Sequence, residues 1–283
     1  MSNSMIRSSR GWFNFVPTGT MAAQFLFVVV VLTGWELISA ALHAEFWVSR
    51  PSLILSALIS WYRSGQLVSD LKNTLLEASV GFVLGSVLGG VTGFLLGWFR
   101  RVGDLFEPFI LALYTLPKIA LAPLFVLWFG IGMANKAMFA GMLVFFMVFF
   151  TTFQGTRQVD RDLVENARLL GATPWGIWTK IAMPYAAVWV FTGLRIGLPY
   201  ALIGAIVGEF IAADAGVGFR IKDATSFFDT ASVFAGLILL MAISLFLLGG
   251  LKLIEKRVLR WQTAPGATTT ETSASRIEVE AAT

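Results

Sequence analysis

Asp160 to Pro184 reads D-R-D-L-V-E-N-A-R-L-L-G-A-T-P-W-G-I-W-T-K-I-A-M-P, a helical pattern with mixed charge set between two strongly apolar segments. On a helix, Leu163, Ala167 and Leu170 fall three or four residues apart and make a small apolar stripe. Asp160, Arg161, Asp162, Glu165 and Arg168 occupy the rest of the surface. Gly171 stops that helix where a left-handed residue is wanted. Thr173 is the expected N-cap of a second short helix, with Pro174 in its first turn and Pro184 closing the stretch. A helix–glycine–helix unit flanked by apolar segments is a knob on a membrane face, suited to pushing against a soluble partner.

The chain around it has 283 residues, 57% hydrophobic and 13% charged, where soluble domains run at about 25% charged. Only helices or closed barrels satisfy the backbone within lipid. The apolar segments here are long and continuous rather than short and alternating, so the fold class is all-α integral membrane. The absence of cysteine excludes a disulfide framework, a thiolate metal site and a cysteine nucleophile. The single histidine, His43, excludes a histidine metal cluster or triad. A net charge of +4 could suggest nucleic acid, but the basic residues flank apolar spans, so the bilayer is the partner they point to.

Six spans are expected: 21–42, 75–99, 105–131, 134–153, 185–213 and 232–254. The first is too long for the core of a signal peptide and no clean A-x-A site follows it, so it reads as retained. Residues 51–62 place Leu53, Ile54, Ala57, Leu58 and Trp61 on one face, which suits either an interfacial helix or a loop helix packed on the bundle. Gly81, Gly85, Gly89, Gly93 and Gly97 form a small-residue stripe that lets another helix approach closely. Pro117 and Pro123 interrupt the third span, which is tolerated where backbone is buried or lines a cavity. Asp214 to Ala231 reads as a polar connection, and the tail after Arg260 as disordered.

Charge sets the orientation. Arg7, Arg10, Arg100, Arg101, Arg157, Arg161, Arg168, Lys180, Lys252, Lys256, Arg257 and Arg260 fall on one side of these spans. Arg50, Arg63, Lys72, Lys136, Arg220 and Lys222 fall on the other. The bias predicts both termini, and the knob, in the cytoplasm.

Glu165, Asn166, Ala167, Gly171, Ile181 and Pro184 resemble the E-A-A, then G, then I-x-L-P signature in permease subunits of bacterial ATP-binding-cassette importers. Asn166 stands where that signature usually has Ala, and Met183 where it usually has Leu. Leu116 to Gly132 (L-P-K-I-A-L-A-P-L-F-V-L-W-F-G-I-G) and Gly193 to Phe210 (G-L-R-I-G-L-P-Y-A-L-I-G-A-I-V-G-E-F) are similar to the nitrate/sulfonate/taurine/bicarbonate branch. The resemblance implies a type I importer permease fold with a cytoplasmic coupling helix between spans four and five. It divides the chain into a cytoplasmic segment 1–20, a first span with interfacial helix 21–70, a five-helix core 71–260 carrying the coupling helix at 160–184, and the tail 261–283. It also implies two cytoplasmic ATP-binding subunits, a second permease subunit, most simply a homodimer, and a periplasmic substrate-binding protein. Glu165, Asn166, Ala167, Gly171, Ile181 and Pro184 would then dock the ATPase.

The chain contains no phosphate-cradling G-x-x-x-x-G-K-[ST], so it cannot bind ATP by that route. The resemblance implies that ATP and Mg sit on the partner ATPase, with no cofactor expected on this chain. Ionisable groups inside spans are costly, and Glu36, Glu77, Lys118, Arg195 and Glu209 are the ones present. Lys118, Arg195 and Glu209 are candidates for the translocation path. Lys118 and Arg195 could offer charge to an anion, though Arg195, near the cytoplasmic end, also suits snorkelling to phosphate headgroups or a structural pair with a carboxylate. Glu77 and Glu209 suit pairing with a cation. Tyr114, Trp128, Trp175, Trp178 and Phe219 read first as packing or interface anchors. The function expected is a non-catalytic permease for a small, anionic solute of the sulfonate, taurine, nitrate or bicarbonate class. The alternative is a self-contained carrier or channel driven by an ion gradient, but only one interrupted span is seen where that class shows a pair. A membrane-embedded enzyme lacks a catalytic constellation.

Overall fold

The computed structural model describes residues 18–260. The expected tail 261–283 and most of the N-terminal segment 1–20 lie outside the described residues. The elements in order are α1 (Thr18–Ala41), α2 (Glu45–Val48), α3 (Pro51–Arg63), α4 (Gln66–Trp98), α5 (Arg100–Thr115), α6 (Ala122–Phe129), α7 (Met133–Arg157), α8 (Arg161–Leu169), α9 (Pro174–Ile177), α10 (Met183–Ile211), α11 (Val217–Ser226) and α12 (Thr230–Val258). A 3₁₀ turn, Lys118–Leu121, precedes α6, and a π-helical turn, Trp178–Ala182, joins α9 to α10.

Five helical stretches among the described residues are long and apolar enough to cross a membrane: Ala22–Ala41, Gln66–Trp98, Met133–Arg157, Pro174–Ile211 and Thr230–Val258. The remaining expected span, the third, is broken. Arg100–Thr115 and Lys118–Phe129 meet at 81°. Pro117 supplies no N–H to the ladder, and Leu116 before it is extended at ψ 141°.

The core is built on α7. Five of the six glycines of α4 lie on backbone carbonyls of that helix. An added β-carbon at Gly81, Gly85, Gly89, Gly93 or Gly97 would fall between 2.3 and 2.9 Å from the carbonyl oxygen of Ala137, Gly141, Phe145, Phe149 or Phe153 respectively. Both series rise together, so α4 and α7 run parallel. On the other flank α10 runs antiparallel: Gly193 meets Val148 and Thr151, Gly204 meets Ala140, and Gly208 meets Lys136. Without a hydrophobic difference between helix and lipid, such close backbone contact is what holds spans together. Val144 and Val148 of α7 are wholly buried between the two.

Three boundaries differ from expectation. The second span begins at Gln66 rather than Leu75, because Asp70, Thr74 and Glu77 are buried on the helix face that continues into the glycine stripe. Residues 214–231 are not a plain connection but carry α11, whose Val217 and Ile221 pack with Leu240 of α12. Pro184 does not close a separate short helix. The chain stays helical from Pro174 to Ile211, and the π turn absorbs the hydrogen bond that proline disrupts, Met183 N–H donating to Trp178 O. The face expected for α3 is the face that turns inward, with Ile54 buried and Leu55, Ile59 and Tyr62 exposed. Glu36 of α1 caps α3 by accepting from the Ser52 N–H (3.0 Å) and hydroxyl (2.7 Å).

Candidate functional site

The knob is held by its own caps. Asp160 accepts from the Asp162 N–H at 2.9 Å and starts α8. At the other end Gly171 sits at φ +82°, its N–H donating to Arg168 O, while Ala172 N–H donates to Ala167 O, each at 2.9 Å. That pair of bonds is a Schellman closure. Thr173 accepts from the Gly176 N–H at 3.1 Å and opens the next turn. Glu165, Asn166 and Gly171 are exposed, and Ala167, Ile181 and Pro184 are half-buried. The expected apolar stripe divides: Val164 and Ala167 turn inward, whereas Leu163 and Leu170 face out. Leu169 and Leu170 are 85% and 89% exposed, and Trp175 beside them is 69% exposed. Behind the knob, Arg100, Arg161, Glu165 and Arg168 line a cleft of about 330 Å³ under the ends of α4 and α7.

The three intramembrane candidates sit in three different environments. Arg195 is ion-paired with Glu255 of α12. Glu209 is wholly buried; Oε1 accepts from the Thr74 hydroxyl at 2.7 Å and Oε2 from the Gly218 N–H at 2.5 Å. With both oxygens engaged inside the protein, it does not line an open path in this conformation. It is Glu77 that takes a cation directly, from Lys136. Lys118 opens the 3₁₀ turn at the break in the third span. Its ammonium donates to Tyr114 O at 2.5 Å and lies 4.1 Å from the Tyr114 ring centre and 5.0 Å from that of Phe146. Among the described residues no carboxylate pairs with it.

A polar node at the end opposite the knob escaped the sequence reading. Asp70 accepts from the Gly216 N–H (2.9 Å), Trp61 Nε1 (3.2 Å) and Arg220 Nε (2.8 Å). The Thr74 hydroxyl accepts from the Val217 N–H at 2.9 Å while donating to Glu209. The node fastens the loop before α11 to α4 and α10. Its signal was present: Asp70, Thr74 and Glu77 share the helical register of Gly81 and the glycines after it.

Residues 81–260 match the family described as binding-protein-dependent transport system inner membrane component. The chain belongs to that family. This permease is 31% identical over 256 residues to SsuC of Bacillus subtilis, a permease protein named for aliphatic sulfonates transport, with 90% of each chain covered. It is 31% identical to the formylaminopyrimidine transport permease protein ThiX of Halalkalibacterium halodurans, covering 84% of this chain and 94% of that one. Among solved structures, the permease has the fold of the inward-facing MetNI methionine ABC transporter: TM-score 0.56 at 20% identity, over 71% of this chain and 97% of that chain. It is thus a multi-pass inner-membrane transport component with a type I importer fold, a permease and not an enzyme. The family assignment favours the importer over the self-contained carrier.

Proposed function

We propose that two copies of this permease form the membrane path of an ATP-driven importer for a small anionic solute delivered by a periplasmic binding protein. The cytoplasmic face carries the knob, and the termini lie on that side. Two ATPase subunits bind ATP and Mg and receive α8, with Glu165, Asn166, Ala167, Gly171, Ile181 and Pro184 forming or supporting the docking surface. Closure of the ATPase pair moves α8, and the continuous helix from Pro174 to Ile211 passes that displacement to the bundle as a rigid-body tilt. Lys118 offers positive charge on the path, which supports an anion of the sulfonate, taurine, nitrate or bicarbonate class, and a relative named for aliphatic sulfonates points the same way.

The observation that carries this reading is the knob itself. A capped nine-residue helix presents Leu169 and Leu170 almost fully to solvent at its end, which only a partner surface makes favourable. The chain has no cysteine, so Asn166→Cys supplies its single thiol. In intact cells that thiol should resist a membrane-impermeant maleimide and react after permeabilisation. Labelling in intact cells would place the knob outside and end the docking model.

A further inference from the structure

The end of the bundle opposite the knob buries three charges that the transport reading does not use: Glu77 of α4, Lys136 of α7 and Glu209 of α10. The fold brings them together. Glu77 follows Thr74 by about one turn of α4, and the Thr74 hydroxyl bonds Glu209. Lys136 lies along Gly208, where an added β-carbon would stand 2.9 Å from its Cγ, and Glu209 is the next residue. Lys136 donates to Glu77 Oε1, and the Glu77 and Glu209 carboxyls are themselves hydrogen-bond neighbours.

Two carboxylates and one ammonium leave one negative charge over, and the surrounding charges do not balance it. Asp70 and Arg220 pair with each other. Arg63, Lys72, Asp214 and Lys222 are exposed, and Asp223 lines a polar groove with Arg220. Burying an uncompensated charge is costly, and two carboxylates in contact do not both ionise. Glu77 Oε2 shows the same conflict locally. It is buried with no hydrogen-bond partner among the described residues, and what it meets is another acceptor, Glu209. Glu209 still has lone pairs to offer, since Thr74 and Gly218 take one on each oxygen. A single hydrogen between the two carboxyls turns repulsion into a bond and makes the cluster neutral.

We propose that Glu77 and Glu209 hold one proton between them, and that this proton latches the start of α11 to the bundle. The loop before α11 closes around Glu209: a β-carbon on Gly216 or Gly218 would overlap its carboxyl, and the Gly218 N–H donates to it. With the proton gone, the two carboxylates repel, and the side chain that this loop encloses is displaced. In the unfolded chain both carboxyls are ionised above the usual carboxylate range. Folding therefore takes up a proton here, and this cluster's contribution to stability falls as pH rises. The latch depends on neither the solute nor the ATPase.

The test uses the full-length permease in dodecyl maltoside, a detergent with no carbonyl of its own. At neutral pH its infrared spectrum should show the C=O stretch of a neutral carboxylic acid, shifted in D2O and lost in both Glu77→Gln and Glu209→Gln. Gln at position 77 keeps an oxygen for Lys136 and offers an N–H to Glu209 in place of the shared proton, so Glu77→Gln should fold and melt near the parent. As the pH is raised above neutral, the parent's unfolding constant should grow by up to about tenfold more per pH unit than that of Glu77→Gln. Hydrogen exchange at Val217 and Gly218, corrected for the intrinsic rate at each pH, should rise in the parent alone. A parent without the carboxylic acid band, or matching pH slopes, would overturn the shared proton. A missing band with stability raised by sodium would give its place to a metal ion. The expected band and slope with unchanged exchange at Val217 and Gly218 would keep the proton and overturn the latch.

Discussion

Lys136 of α7 and Glu77 of α4 meet with Nζ 2.7 Å from Oε1, and their side chains are only 6% and 5% exposed. They join the two parallel helices at the end where the glycine stripe begins. Each charge is tolerable there because the other is present. Removing one partner of such a pair costs about 3–5 kcal/mol, because the survivor is left buried and uncompensated. Lys136→Met or Glu77→Leu should therefore sharply lower the unfolding temperature of the detergent-purified permease. The double variant should recover much of the loss. A double variant no more stable than the singles would mean that the pair is not an isolated unit.

The seam below that pair makes a second, steric prediction. A β-carbon at Gly85 would stand 2.3 Å from Gly141 O and 2.9 Å from Val144 Cβ, and neither belongs to a flexible side-chain end. Gly85→Ala must push α4 from α7, an overpacking cost of about 1–3 kcal/mol. Gly34→Ala in α1 has nothing within 4 Å and should be neutral or slightly stabilising. Thermal unfolding of both variants beside the parent settles it, since equal losses would show that the contact is not what matters.

The glycine register was plain in the sequence, but what it packs against was not. A period of four says that a face is small; it does not say that the partner is α7, or that a second run, Gly193 to Gly208 on α10, grips the same helix from the other side. The knob was legible because caps are local: Gly171, Thr173 and Pro174 announce themselves without tertiary knowledge. The start of α4 was missed because polar residues read as exposed until their partners are known. Two of the three partners of Asp70, Gly216 and Arg220, lie far along the chain. The environment of Glu209 was hidden for the same reason, its partner Thr74 lying 135 residues away.

Arg195 gives the contrasting electrostatic case. Its side chain is 50% exposed, and its partner Glu255 is on α12. Half-open pairs of this type contribute about 0–1 kcal/mol. Arg195→Ala should leave the unfolding temperature within about a degree or two and leave solute uptake intact. A large loss of uptake with normal stability would return Arg195 to the translocation path.

The elbow itself separates backbone strain from docking. Gly171 has open space around it, yet its φ of +82° is one that L-residues adopt at a cost of about 1–2 kcal/mol. Gly171→Ala should loosen the end of α8, and Gly171→Asn less so, because asparagine tolerates that region. Both would act on the ATPase through the position of α8. Leu170 differs: it is 89% exposed and supports nothing inside the chain. Leu170→Asp should therefore leave the unfolding temperature unchanged while most of the ATPase is lost on affinity purification. If Leu170→Asp retains its full complement of ATPase while Gly171→Ala loses it, the contact lies elsewhere on the knob, and the exposed cleft residues Glu165 and Arg168 are the next to change.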